Sequence, residues 1–245
     1  MPIHITVICS LHANIELIPH FIDHYKKIGV TDFVFGVSRG KENPTYNEML
    51  QYVDSNIRVC PSCNDLFSPD MDARFANRVR LEMSPTDWYI PADLDELHVT
   101  PGYDDMHSLI RDVSMSNSDF VWGQMVDRVT QDGSIPLHIT PTPTIWEQFP
   151  VEMNLTGALL KAWDFKVTLA KQSMAVSSGH HFTENYNRVG VKFEKPSFTH
   201  HFKWFGNLLE KEEAKLVRYK TLGVTHGSEN QILIDHLKSH NGKLF

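Results

Sequence analysis

Cysteine is scarce in this chain: Cys9, Cys60 and Cys63 are the only three among 245 residues. Three thiols cannot pair completely, which argues against a disulfide framework. Cys60 and Cys63 form one C-x-x-C, but no second cysteine pair follows, so a zinc site would need histidine partners. We read the motif as an incidental pair at a strand-to-loop junction. Long apolar runs are missing as well. Nothing approaches the roughly 20 residues of a transmembrane helix, and the opening Met1-Pro2-Ile3-His4-Ile5-Thr6-Val7-Ile8-Cys9 lacks the basic segment of a signal peptide. Positive charge is in deficit: the net charge of -7 argues against a nucleic-acid groove as the main binding surface. No internal repeat, low-complexity tract or linker divides the chain. A single domain over residues 1–245 is expected, in a soluble, reduced, cytoplasmic protein without stable membrane insertion.

What is present is an ordinary globular composition, 41% hydrophobic and 22% charged. A chain of this length buries roughly 70–75% of its unfolded surface. Strand and helix patterns alternate through the first half. Ile3 to Cys9 reads as a buried strand. Asn14 is placed to cap a helix to Ile28, with Ile18, Phe21, Ile22, Tyr25 and Ile28 inward and Gly29 as its stop. Asp32 to Val37 reads as a strand, Asn47 to Val53 as a helix and Ile57 to Cys60 as a short strand. A third helix is expected from Ser68 and Pro69 to about Met83, followed by a strand at Trp88. This order predicts an α/β fold, a mainly parallel sheet with helices on both faces.

The second half is less regular. Phe120 to Val129 reads as a strand, followed by a turn at Gln131-Asp132-Gly133-Ser134. The segment from Ile135 to Pro150 holds Pro136, Pro141, Pro143 and Pro150, which predicts an irregular loop. Phe165 to Ala170 and Ser197 to Trp204 read as strands, and Leu208 to Tyr219 and Ser228 to Ser239 as closing helices.

The most informative stretch is Asp87-Trp88-Tyr89-Ile90-Pro91-Ala92-Asp93-Leu94-Asp95-Glu96-Leu97-His98. An apolar strand ends in three carboxylates. Positions i and i+2 of an extended segment face the same way, so Asp93 and Asp95 are expected to converge on one divalent ion or its waters. Oxygen ligands of this kind suit Mg²⁺ or Mn²⁺, which keep open positions for substrate phosphates. The bland alternative is a solvated acidic turn.

Taken in order along the chain, several short segments resemble the GT-A glycosyltransferases, specifically the family 2-like group with an Asp-x-Asp-Glu strand end. They are the helix-to-strand step His24-Tyr25-Lys26-Lys27-Ile28-Gly29-Val30-Thr31-Asp32-Phe33, then Arg74, Asn77 and Arg78, then Asp93-Leu94-Asp95-Glu96. Further on come Val126-Asp127-Arg128 with Asp132-Gly133, and Glu147-Gln148-Phe149-Pro150. Gly179-His180-His181-Phe182 and His200-His201-Phe202-Lys203-Trp204 complete the series. The resemblance implies a GT-A-like (Rossmann-like) fold and transfer of a sugar from a nucleotide-sugar donor to the hydroxyl of a glycan or other acceptor, without a nucleic-acid partner.

The resemblance, read with the chemistry, implies roles. Asp95 is expected to bind Mn²⁺ or Mg²⁺ directly, and Asp93 through water or by holding the donor ribose, while Glu96 orients Asp95 or meets the acceptor. The metal acts as a Lewis acid on the departing diphosphate. A late histidine ligand is implied; neighbours in a strand face opposite sides, so one member of each His-His pair qualifies, His181 first and His201 second. An inverting transfer needs a carboxylate to take the acceptor proton, and Asp127 and Glu147 are the two candidates. Arg74 and Arg78, four apart on one helix face, and Lys203 are candidates to meet the diphosphate, although the arginines suit equally an exposed face paired with Asp70 or Glu82. Asn14 and Glu16 resemble the nucleotide-contact loop. Of Trp122, Trp146, Trp163 and Trp204, one or two are expected to stack on sugars and the rest to pack in the core. A metal-dependent hydrolase or phosphoesterase, and a non-catalytic carbohydrate-binding module, are the alternative classes.

Overall fold

The apolar, β-branched start of the chain forms β1 (Ile5–Leu11), buried along its whole length. In the computed structural model, which describes residues 3–11, 14–62, 70–184, 190–221 and 227–245, it is followed by α1 (Ile18–Lys27), β2 (Asp32–Val37), α2 (Pro44–Met49) and β3 (Ile57–Pro61). Next come α3 (Met71–Arg80), β4 (Trp88–Pro91), β5 (Glu96–Val99), α4 (Met106–Met115), β6 (Phe120–Val129), α5 (Ile145–Gln148) and β7 (Val151–Met153). The remainder is β8 (Phe165–Lys171), β9 (Ala175–Val176), β10 (Thr183–Glu184), β11 (Ser197–His201), α6 (Leu208–Thr221) and α7 (Ser228–Ser239). Cys63, Ser68 and Pro69 lie outside the described residues. Two compact units result, Met1–Gln124 with Phe165–Thr199 and Met125–Asp164 with His200–Phe245. Among the described residues no helix is long and apolar enough to cross a membrane.

The main sheet runs β3-β2-β1-β4-β8-β6-β11-β5, with β7 paired to β6. The expected α/β class and parallel order hold for β3-β2-β1-β4, whose pairs are all parallel. At β8 the direction reverses, because β8 pairs antiparallel with both β4 and β6. Alternation on β2 explains why helices cover both faces. Phe33 and Phe35 point one way, and Phe35 meets Phe21 of α1 with ring centroids 5.9 Å apart. Val34, between them, points the other way and joins Phe75, Ala76 and Val79 of α3 in a separate apolar cluster. α1 stops where its sequence says it should: Gly29 takes φ +89°, and Val30 N–H returns to the Tyr25 carbonyl at 3.0 Å.

Several features depart from the sequence expectation, among them the short strands β7, β9 and β10, which it did not include, and α2, which lies at Pro44–Met49 rather than Asn47 to Val53. Asn14 has φ +67° and makes no side-chain cap; a short 3₁₀ turn over Ile15–Leu17 intervenes before α1. β5 and α4 were not expected. β5 hides because its buried positions include Glu96 and His98, polar residues that break an apolar pattern. α4 carried a readable signal, Asp105 accepting from Ser108 N–H at 2.8 Å and Met106, Leu109, Ile110 and Val113 buried at helical spacing.

The second unit has its own core of Val129, Leu155, Leu160, Trp204, Leu208, Leu233, Leu237 and Leu244. Its Pro-rich segment is irregular as expected, apart from α5. There Thr144 and Glu147 form a reciprocal capping box, a Thr-x-x-Glu signature present in the sequence.

Candidate functional site

Strand order marks the position of a candidate site. From β1 the chain moves outward to β2 and β3 on one side, then returns to place β4 on the other. Connections on the two sides of such a switch point diverge and leave a crevice beyond the carboxyl ends of the two strands, where ligands of parallel α/β sheets bind. Asn14 and Glu16 follow β1, and Asp93 to Asp95 follow β4. The residues expected to contact the nucleotide and those expected to hold its metal therefore border the same switch point.

The acidic tip itself is built differently from the expectation. Asp93, Leu94 and Asp95 are not an extended strand end but a turn between β4 and β5, closed by Glu96 N–H donating to the Asp93 carbonyl at 3.0 Å. Strand alternation therefore does not bring Asp93 and Asp95 to one face. Glu96 is 1% exposed, with both carboxylate oxygens turned to partners inside the fold. One of its carboxylate oxygens accepts from Asp93 N–H at 3.2 Å and the other from the Lys166 ammonium at 2.7 Å. The phenol of Tyr25 donates to its carbonyl at 3.0 Å.

Lys166 is the residue that sequence reasoning missed. β8 pairs with β4 through Trp88 opposite Lys171 and Tyr89 opposite Ala170. Continuing that register past the end of β4 brings Lys166 opposite Asp93, and its ammonium donates to Asp93 at 2.9 Å. The lysine side chain is 7% exposed and that of Asp93 35%. Burial alone would lower the lysine pKa, but Asp93 and Glu96 outweigh it and hold the ammonium charged well above its ordinary range. In sequence Lys166 is one polar residue in an apolar strand, and nothing local marks its partners.

A histidine turn completes this region. Gly179 and His180 both have left-handed backbones, φ +65° and +56°. A non-glycine residue there carries strain. His180 thus ends a 3₁₀ turn over Ser178–His180 and His181 follows it, neither of them in a strand, so alternation does not choose between them. His180 is 1% exposed, and among the described residues neither ring nitrogen finds a well-formed hydrogen bond. Burial lowers its pKa, against the pull of Asp93. His181 donates from Nδ1 to the Phe165 carbonyl at 2.6 Å, which fixes its tautomer and leaves Nε2 as the basic nitrogen. Its pKa is lowered to about 4, chiefly by burial and then by Lys166, so the ring is neutral at physiological pH. Cys9, buried near the end of β1, has its thiol pushed well up by burial and by Asp93, Asp72, Asp95 and Glu96. Four carboxylates thus act on the head of one strand.

These side chains do not, as arranged, fit the divalent ion expected from the sequence. Among the described residues no three His, Cys, Asp or Glu side chains gather closely enough to hold one. Two of the three carboxylates of the turn are already bridged by Lys166. Arg74 and Arg78 are both exposed on α3. Arg74 pairs with Asp70 at 3.3 Å, the alternative the sequence offered, and Arg78 donates to the Pro61 carbonyl at 2.7 Å and lies over the Phe75 ring.

The other candidates belong to the second unit. Asp127 is fully buried and accepts from Thr156 N–H at 2.6 Å, Thr156 Oγ1 at 2.9 Å, Trp204 Nε1 at 3.0 Å and His201 Nδ1 at 3.2 Å. Burial would raise its pKa, yet His201 and the Thr156 N–H reverse the shift and hold the carboxyl below its ordinary range. Glu147 is engaged by its capping box, whose Thr144 donors lower its pKa. Lys203 lies over the Trp204 ring, with its ammonium 4.7 Å from the centroid. Among the tryptophans, Trp204 is core, Trp163 is 50% exposed, and Trp146 stands edge-on to His200 and Phe202 beneath the Arg128 guanidinium. In the first unit, Trp122 packs on Phe165 at 4.8 Å and Phe182 at 6.1 Å.

No protein-family model matches this chain, and no curated protein matches it. Several solved structures are similar to it. S. aureus TarS 1-349 shares 12% identity over 97% of this chain and 72% of its own, with a TM-score of 0.45. A 4-diphosphocytidyl-2C-methyl-D-erythritol synthase shares 12% over 70% and 76%, with a TM-score of 0.38. HddC from Yersinia pseudotuberculosis shares 9% over 80% and 90%, with a TM-score of 0.39. Against a longer S. aureus TarS structure the chain spans 43% of the other's length.

Proposed function

We propose that this protein is a GT-A-type glycosyltransferase that moves a sugar from a nucleotide-sugar donor to the hydroxyl of a glycan or other acceptor. The observation that carries the reading is the acidic turn Asp93 to Asp95 at the switch between β1 and β4, with Asn14 and Glu16 following the neighbouring strand. A parallel sheet offers that crevice to nucleotides, and the partly exposed Asp93 carboxylate is suited to accept hydrogen bonds from ribose or sugar hydroxyls. Arg74 and Arg78 supply positive charge on α3. For Mn²⁺ or Mg²⁺ to be held by Asp93, Lys166 must release it. For an inverting transfer Asp127 and Glu147 stand as the proposed proton acceptors; both belong to the second unit, where Asp127 is buried among its four donors and must be uncovered to act, and Glu147 is held by its capping box.

A thermal-shift panel of nucleotide sugars, with Mn²⁺ and with EDTA, tests the reading. A donor at a hundredfold its Kd stabilises by about 2.7 kcal/mol, roughly 5–10 °C for a chain of this size. The matching donor should give that shift, and Asp93→Asn should reduce it. Absence of a shift with every nucleotide sugar, in both conditions, would sink the proposal.

A further inference from the structure

We propose that Lys166 is the resident cation of the Asp93–Glu96 turn, so that the turn binds its donor without a divalent metal. The metal half of this statement stands apart from the transferase reading; the donor half rests on it. The ammonium lies 2.9 Å from Asp93 and 2.7 Å from Glu96, bridging two carboxylates of the segment in which a metal is expected. Three features make the bridge part of the fold. The register of β4 with β8 delivers Lys166 opposite Asp93. Glu96, 1% exposed, uses its second oxygen to fasten the Asp93 N–H, so it cannot swing toward an ion without opening the turn. Lys166, 7% exposed, would be left as a buried charge without a counter-ion if a metal took its carboxylates.

An incoming divalent ion therefore competes with an ammonium already desolvated and doubly paired. It must also shed water, which Mg²⁺ does reluctantly. With Lys166 in place, Asp93 is held by its cation and presents its exposed part to hydroxyls. The diphosphate then relies on the guanidinium groups of Arg74 and Arg78 for positive charge.

The test is a titration of Mn²⁺ alone into the full, metal-free chain, with free Mn²⁺ followed by electron paramagnetic resonance. The unsubstituted protein should show no saturable site tighter than about 1 mM, the weak end of divalent-cation sites. Lys166→Met should gain a site at least tenfold tighter, and Lys166→Arg should behave as the unsubstituted chain. A stoichiometric micromolar site in the unsubstituted chain, lost in Asp93→Asn, would overturn the proposal, and this comparison does not require Lys166→Met to fold. The donor arm separates the two ideas. Equal thermal shifts with EDTA and with Mn²⁺ support a metal-free turn. A shift only with Mn²⁺ overturns it and leaves the transferase reading intact. No shift with any donor overturns the transferase reading and the donor half with it, and the titration then decides the metal half.

Discussion

Acid should destabilise this protein through His98, and the size of the effect can be worked from its surroundings. The ring is 0% exposed, edge-on to Tyr25, with Thr199 Oγ1 3.1 Å from Nδ1 and the Pro91 carbonyl 3.5 Å from Nε2. Burial lowers its pKa to about 3, only partly opposed by the Pro91 carbonyl. In the unfolded chain the pKa is about 6.5. Between those values the unfolded state binds a proton that the folded state refuses, so stability falls as pH drops below about 6.5. The slope is about 1.4 kcal/mol per pH unit for one such group, or about 3 kcal/mol by pH 4.5. His24, its pKa lowered to about 4 mainly by burial, acts in the same direction. That is a large share of the 5–15 kcal/mol typical of folded domains. Urea unfolding at pH 6.5, 5.5 and 4.5, with His98→Gln beside the unsubstituted chain, measures it. The variant should start less stable and lose about 1.4 kcal/mol less per unit. Equal slopes in the two proteins would show that His98 is protonated without difficulty in the folded state, and the burial argument would fail.

Lys166→Met should cost about 3–5 kcal/mol, because it leaves Glu96 buried without its counter-charge; chemical denaturation at pH 7 checks this. Since the folded pKa of Lys166 is raised, its contribution is full below about pH 10.4 and fades only above that, so the deficit of the variant should be constant from pH 7 to 9. Asp127→Ala should destabilise by at least about 3 kcal/mol, because buried donors from Thr156, His201 and Trp204 lose their shared acceptor at about 1–3 kcal/mol each; a loss under 1 kcal/mol would argue against that network. Gly179→Ala places a Cβ 2.7 Å from His181 Nε2 at a φ of +65°. It should cost about 1–2 kcal/mol and shift the His181 ring resonances in NMR spectra, whereas unchanged resonances would contradict the packing.

Much of this architecture was legible in the residues themselves, because strands and helices are written in local periodicity. Phe21 and Tyr25 of α1, the Gly29 stop, and the limits of β2, β6 and α7 all follow from spacing and composition. Local pattern also contained two signals that went unread, the Thr144–Glu147 capping box and the Asp105-initiated α4. Tertiary structure alone decided the rest, for a common physical reason. Whether a carboxylate is open to a ligand depends on which cation the sheet register lays against it, and register joins residues far apart in the chain. Lys166 meets Asp93 across 73 residues, and Asp127 meets His201 across 74. No window of sequence holds both partners, so the chain could announce its acidic segment but not the lysine that neutralises it.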